Sequence, residues 1–548
     1  MEQSIRTIIL ENYVKHGSVR ENVILGLVLR SHPEAKSDVV RVKELISSIT
    51  SSVMEMDRDE AAKLVEIKED KQEAKGPLKP LPESSSYVFR IAPSPSGPLH
   101  IGHAFGTMIN YTYKQMYNGK LILRIEDTNP SNIYPKAYEL IEQDAQWVTD
   151  NGVDEVVVQS DRLDVYYKHA RELIEKGLAY VCSVDADAWR EMKAKGEASP
   201  YRDLDVTTQI ERFERMFTDF AEGEAVIKFK TDMQHKNPAM RDFPIMRINE
   251  HVHPRTGKTQ RVWPLMVFSV ALDDHLLGVT HVLNGKDHAD NAKKEALIME
   301  AFGWKPPFYK HWGRINFLDM KLSTSETRRA IERDEFHGWD DVRLNTLLAL
   351  KKRGYHPAAF QRFSIETGLS LNDKTVSKKE FWKNINAFNK QVIDDNVKRF
   401  FFVENPVQIT VQNAPSKTVH LPLHPDKDFG TRELKCDDTY YIEQADYDRM
   451  EAGKVYRFID NINVLFTGET LEYHSETFEE YKNANKGFVL HWLPQATVGV
   501  TIKGPDSEHD GLAEEAVSCV ERPSIVQFER RFFAKLDDGK NISGWFLH

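Results

Sequence analysis

The chain has 548 residues, 41% hydrophobic and 29% charged, with 73 Lys and Arg against 84 Asp and Glu, a net charge of -11. That balance describes a folded globular protein of about three or four domains, and it excludes a largely disordered chain. No apolar run approaches the ~18 residues a membrane helix needs. Three distant cysteines, Cys182, Cys436 and Cys519, exclude a disulfide framework and a paired-cysteine zinc site, so no structural zinc is expected. Residues 1–10 lack a cationic-then-apolar leader, and a cytoplasmic setting is expected. The negative total argues against nucleic acid, but it is unevenly spread. Residues 401–548 hold 15 cations and 25 anions, whereas residues 321–400 hold 16 and 11.

Residues 1–74 read as a helical module, with Ile5, Ile8, Ile9 and Tyr13 at helical spacing and a second helix over 39–49. Residues 75–86 carry three prolines, a glycine and a serine run, the composition of a linker. A strand is expected over 87–91. The loop Ala92-Pro93-Ser94-Pro95-Ser96-Gly97-Pro98 follows, then a helix from Leu99 to a stop at Asn118-Gly119, and a strand over 120–125. Strand, loop, helix, strand is a βαβ unit and implies a parallel sheet. Helices follow at about 134–150 and 164–177, and basic helices over 344–353 and 378–389. From Phe400 the text changes to short strand-like runs between turns (407–411, 464–466, 488–490, 524–528), which suggests all-β barrels.

The segment richest in chemistry opens the first of these helices: Leu99-His100-Ile101-Gly102-His103. Two imidazoles three residues apart share one helix face. They stand where free backbone N–H groups and the dipole favour an anion. Gly102 between them lets a flat ligand approach the backbone. These residues point to a nucleotide-phosphate site with two histidine donors. No GxGxxG, GxxxxGK[ST] or HExxH is present, so dinucleotide, P-loop and zinc-protease chemistry are not indicated.

His100-Ile101-Gly102-His103 resembles the first signature of class I aminoacyl-tRNA synthetases of the glutamyl/glutaminyl group. Arg90 before Ala-Pro-Ser-Pro and the run Leu121-Ile122-Leu123-Arg124-Ile125-Glu126-Asp127-Thr128-Asn129-Pro130 match that family's context. So do Asp273-Asp274-His275-Leu276-Leu277-Gly278-Val279-Thr280-His281-Val282-Leu283 and Gly285-Lys286-Asp287-His288. Arg399-Phe400-Phe401-Phe402-Val403 and Gly430-Thr431-Arg432-Glu433-Leu434-Lys435 resemble the β region of its archaeal-type glutamyl members. The resemblance covers nearly the whole chain. It implies an α/β Rossmann-like catalytic domain over 87–320 with an acceptor-binding insertion at about 180–260. A second signature loop and helical stem-contact region follow over 321–400, then all-β anticodon-binding barrels over 401–548.

The same resemblance implies ATP-dependent activation of L-glutamate and transfer to the 3′ end of tRNA, with Mg²⁺ accompanying ATP. It implies a monomer, tRNA(Glu) as partner, and tRNA(Gln) as a second acceptor left open. His100, Gly102 and His103 fall in the ATP-binding catalytic positions, with Lys321, Ser323, Thr324 and Ser325 of the second signature. Arg90, Ser94, Glu126, Met266 and Asn284 fall in the amino-acid pocket. No resident metal site is implied.

Several positions depart from the family's pattern. The second signature reads Lys321-Leu322-Ser323-Thr324-Ser325, with Thr324 where a phosphate-contacting lysine is usual, and Glu326 adds a negative charge. Arg328 and Arg329 are candidate compensating cations, with Lys321. Met266 and Val267 stand where tyrosine and Asp or Asn are usual, and methionine supplies no hydroxyl donor. Asn284 replaces an arginine that pairs with a substrate carboxylate. Losing such a buried partner costs ~3–5 kcal/mol, or roughly two to three decades in affinity. The alternatives to a working glutamyl enzyme are therefore a non-catalytic paralogue and one specific for glutamine. In the acidic β region, Arg432, Lys435, Arg530 and Arg531 are the expected basic patch for tRNA. The aromatic runs at 400–402 and 532–533 are expected in the core.

Overall fold

The computed structural model describes residues 78–320, 322–539 and 541–548, and before them residues 2–16, 19, 21, 24–25, 28–29, 32, 35, 38–57, 60–61 and 64. It divides into two compact units, residues 1–76 and 77–548. In the first unit, helices Glu2–His16 and Val39–Met54 bury Ile5 and Ile9 with Val42, Ile46 and Val53. These apolar residues recur at four- and seven-residue steps, which is why both segments coil and pack along one stripe.

In the second unit, Val88–Ile91, Lys120–Ile125 and Glu155–Val158 form a parallel sheet in that order. A second parallel pair, His281–Gly285 with Phe308–Trp312, lies on the other side of the first strand. The junction is Thr280, whose N–H donates to the Val88 carbonyl at 3.1 Å, while the Val88 N–H donates to Thr280 Oγ1 at 2.9 Å. The middle strand is covered on both faces: Leu121 and Leu123 enter one core cluster and Ile122 another. A continuous apolar run is what burial on both faces demands. Chain order reverses between the first strand and His281–Gly285. Such a reversal opens a crevice outside the carboxyl ends of the strands.

Helix Ile101–Tyr117 covers the sheet with Ile101, Phe105, Met108, Ile109 and Tyr113, and ends at Asn118 in the left-handed region (φ 48°). The part of the expected linker that is described is not loose. Leu78 and Leu81 are buried in the same core, the Tyr113 hydroxyl donates to the Lys79 carbonyl, and the Leu81 N–H donates to the Tyr117 hydroxyl. Its prolines prevent regular structure, but its leucines are apolar surface that water does not retain. Between the two halves of the parallel sheet is a four-stranded antiparallel sheet, Ala179–Cys182, Val226–Phe229, Phe243–Ile248 and Val262–Pro264. Helices Leu347–Arg353, Pro357–Thr367 and Lys378–Ile393 follow.

The C-terminal region contains two seven-stranded sheets. Lys398–Phe400 and Phe402–Glu404, one residue apart in sequence, stand at opposite ends of one sheet, so that sheet nearly closes on itself. The aromatic run divides by strand alternation: Phe400 and Phe402 enter one core, Phe401 and Val403 the other. Arg432 does not belong to a surface patch. It is 4% exposed, pairs with Glu514 at 3.0 Å and Glu529 at 3.1 Å, and lies 5.1 Å over the Phe401 ring. Residue alternation along Thr431–Cys436 turns it inward with Leu434 and Cys436, while Thr431, Glu433 and Lys435 are exposed. Lys435, Arg530 and Arg531 of the expected patch are exposed, but the Arg531 guanidinium pairs with Glu404 and Glu443.

Replacing Arg432 with Met leaves Glu514 buried without its cation. A loss of ~3–5 kcal/mol is expected, read as an earlier urea transition in tryptophan fluorescence, since buried Trp492 packs 5.8 Å from Phe401. An unchanged midpoint would show that the pair has no structural role.

Candidate active site

The first strand ends at Ile91, and the proline-rich loop carries the chain to the helix start at the crevice. Two contacts fix that start. The Leu99 N–H donates to buried Asp144 at 2.9 Å, and the Ile101 N–H donates to the Asn345 carbonyl at 3.1 Å. Burial pushes the Asp144 carboxyl up to about 7.

His100 is the helix N-cap, in extended backbone (φ -131°). Its Nδ1 accepts the Gly102 N–H at 3.0 Å, and His103 Nδ1 accepts the His100 N–H at 3.2 Å. Two imidazoles thus form the reciprocal cap that Ser and Glu usually form. A ring nitrogen that accepts carries no proton, so each neutral ring carries its proton on Nε2. The ring centroids are 3.9 Å apart. Burial pushes His103 down to about 4, and burial plus the neighbouring His103 push His100 well below the ordinary histidine value. At neutral pH the pair offers two uncharged N–H donors.

Gly102 has a more local reason than ligand approach: a Cβ there would lie 2.9 Å from His100 Cε1. At Gly97 a Cβ would collide with the Thr324 methyl group and meet Trp339 at 3.0 Å. The first signature loop is therefore seated directly against the second.

One cleft of about 810 Å³ gathers Arg90, Ser94, His100, Gly102, His103, Glu126, Met266 and Asn284. Ser323 and Thr324 line an adjoining pocket of about 290 Å³ that shares His100 and Leu322 with the cleft. Ser323 caps helix Thr324–Glu332, its Oγ accepting the Glu326 N–H at 3.3 Å; Ser325 lies in that helix's first turn. Glu326 lines this side pocket rather than the cleft, at a helix start where negative charge is favoured. Lys321 lies outside the described residues. Neither Arg328 nor Arg329 lines the cleft: Arg328 pairs with Glu332 at 3.8 Å, and Arg329 donates to the Ser325 carbonyl. Val267 is not a pocket residue either; it is 9% exposed and packs in the core of the inserted sheet.

Elsewhere in the cleft wall, Arg90 is held by a protein carboxylate. Its Nε and Nη2 donate to the two oxygens of Asp274 at 3.2 and 3.3 Å. Arg124, wholly buried, donates to Asp274 at 2.5 Å and to Glu126 at 3.0 Å. Burial alone would raise Asp274, but the two arginines outweigh it and hold the carboxyl below its ordinary range. Asn284 Oδ1 lies 2.7 Å from His311 Nδ1. The organising roles of Asp274 and Arg124 escaped sequence reasoning. A signal was present: Asp273-Asp274 interrupts the apolar helix Met266–Leu276, where carboxylates remain only with partners. Asp273 is held by Arg162, Gln159 and Tyr166.

A parallel sheet with a crevice at its reversal, and two histidines capping the helix that opens there, define a class I synthetase catalytic domain. Residues 87–395 match the family described as tRNA synthetases class I (E and Q), catalytic domain, and residues 397–482 match the anti-codon binding domain of the same group. The chain belongs to this family. It is 40% identical to the glutamate--tRNA ligase of Methanothermobacter marburgensis over 98% of each chain. It is 41% identical to that of Methanocaldococcus jannaschii, over 99% of this chain and 98% of the relative. A solved structure of a glutamate tRNA ligase from Elizabethkingia meningosepticum in complex with its amino acid is 20% identical, with a TM-score of 0.40 over 56% of this chain and 70% of that one.

Nitrogen-15 spectra of the imidazoles test the tautomer directly. At pH 7 both signature histidines should carry the proton on Nε2, and His103 should titrate near 4. A proton on Nδ1, or titration near 6.5, would contradict the capping geometry.

Proposed function

We propose that the protein is a glutamate--tRNA ligase. The observation that carries the reading is the convergence of eight residues, expected from sequence for amino-acid and nucleotide binding, on one cleft at the carboxyl ends of the parallel strands. In this reading L-glutamate lies with its α-ammonium at Glu126 and its side chain toward Asn284. A carboxylate oxygen attacks the α-phosphorus of ATP, and pyrophosphate leaves. A ribose hydroxyl at the 3′ end of tRNA then attacks the acyl carbon, and AMP leaves.

The Nε2–H groups of His100 and His103 donate to phosphate oxygens as charge grows on them. Such fixed donors stabilise the transition state more than the ground state. Because the rings are neutral before substrate arrives, they need no counter-ion in the empty cleft. Mg²⁺ enters with ATP and neutralises its phosphates; the chain's own part is to place donors around them. The basic segment 321–400 supports a path for the tRNA stem, held by phosphate contacts. Acceptance of tRNA(Glu), with tRNA(Gln) left open as a second acceptor, a monomeric state and a cytoplasmic setting complete the reading. The described chain has no helix long and apolar enough to cross a membrane.

Pyrophosphate exchange with each of the twenty amino acids, run with and without tRNA, tests it. Exchange is expected with glutamate and not with glutamine. His100→Ala or His103→Ala should slow it by ~10²–10³-fold, the scale of one lost transition-state donor. Exchange with glutamine alone would move the protein to the altered-specificity reading, and none with any amino acid would make it a non-catalytic paralogue.

A further inference from the structure

Cys182 and Lys228 lie outside the cleft, and no step of amino-acid activation uses them. Cys182 is the last residue of Ala179–Cys182, the edge strand of the inserted antiparallel sheet. In the register of that sheet Tyr180 stands opposite Lys228, and Cys182 stands opposite Val226. Side chains alternate along each strand, so Cys182 and Lys228 are diagonal neighbours on one face. The other face, with Val181 and Ile227, enters the apolar core. Helix Ala186–Lys195 and the segment after it cover the face that carries Cys182. The Lys228 Nζ lies 3.2 Å over the centre of the Trp189 ring, and Ser199 Oγ lies 3.4 Å from Cys182 Sγ.

Cys182 is 1% exposed and Lys228 2%. A buried ammonium is costly without an anion, yet the Lys228 Nζ has no oxygen or nitrogen partner. Nearby Asp242 is already engaged by the Tyr180 hydroxyl at 3.0 Å, Arg202 at 3.0 Å and the Thr231 N–H at 2.7 Å. What remains beside the amine is the Trp189 face and the Cys182 thiol, which lies close enough to share a hydrogen bond with it. Burial holds Lys228 below the ordinary lysine value and so raises the share of neutral amine. A desolvated neutral amine is a nucleophile.

We propose that Cys182 and Lys228 form a peroxide-sensitive modification site, at which oxidation joins the two side chains through a sulfur–nitrogen bond. Hydrogen peroxide delivers one oxygen to the Cys182 sulfur and leaves as water, which gives a sulfenic acid. The Lys228 nitrogen then attacks that sulfur with its electron pair. The S–N bond forms, the S–O bond breaks, and the hydroxyl leaves with an amine proton as a second water. The sulfur loses two electrons and the peroxide gains them. The product is a sulfenamide, which a thiol reductant returns to thiol and amine. Cys182 and Val226 are the last pair of the ladder on an edge strand, where a sheet opens at least cost and a molecule as small as peroxide gains entry. The adjacent amine captures the sulfenic acid before a second peroxide converts it to the irreversible sulfinic acid.

The test treats the full-length protein with hydrogen peroxide and maps its peptides by mass spectrometry. In the wild type the peptides that carry Cys182 and Lys228 should be recovered joined, lighter than their sum by the two hydrogens lost, and dithiothreitol should separate them. Lys228→Met removes the amine together with its buried charge, and Lys228→Arg keeps a cation without the nucleophile. In both variants Cys182 should go on to the sulfinic acid with no link, and thermal unfolding beside the wild type shows that the sheet is intact. Cys182→Ser should give no link. Sulfinic acid without a link in the wild type, a link that survives either Lys228 substitution, or a joined pair heavier by one oxygen would each overturn the proposal. So would a Cys182 that stays reduced while exposed Cys519 is fully oxidised.

Discussion

The buried chain Arg90–Asp274–Arg124–Glu126 is the interaction on which the site depends. Its members come from the first strand, the second strand and the residue just past its end, and the helix that follows the inserted sheet. Segments 150 and 184 residues apart are fixed against one another at the floor of the cleft. A buried ion pair adds little net stability over apolar packing, yet loss of one partner costs several kcal/mol. The chain of charges therefore acts as a constraint on position. It engages both arginines of the cleft floor, Arg90 and Arg124.

The end of the cleft at the two signature histidines follows a different rule. There the donors are neutral imidazoles whose Nδ1 atoms are spent on the backbone of their own helix. The cap that starts the helix is also the device that fixes the tautomer. Close packing of Gly97 under Thr324 and Trp339 ties this helix start to the second signature. One cleft thus joins a charged, locked floor to an uncharged, oriented rim.

Much of the fold was legible because local rules agree with the tertiary outcome. Strand Lys120–Ile125 and the helix stop at Asn118 follow from an apolar run and from a residue that tolerates the left-handed region. The histidine pair's shared helix face follows from its spacing, whereas the role expected of it came from the family resemblance. The buried charge network was not, because partners 150 or more residues apart leave no local period. Arg432 was misplaced for a related reason: a lone arginine on an alternating strand gives no sign of the glutamates that meet it from other strands. Val267 differs from its neighbour Met266 in facing a separate core, a distinction of one step along a helix.

The proposed function requires that one cleft hold the amino-acid side chain at Asn284 and the phosphate at the two signature histidines. The most direct measurement is a crystal structure of the protein with a non-hydrolysable glutamyl-adenylate analogue. The phosphate mimic is expected within hydrogen-bond distance of Nε2 of His100 and His103, with the amino-acid side chain toward Asn284. Rings turned so that Nδ1 faces the mimic, or an analogue whose side chain lies away from Asn284, would contradict it.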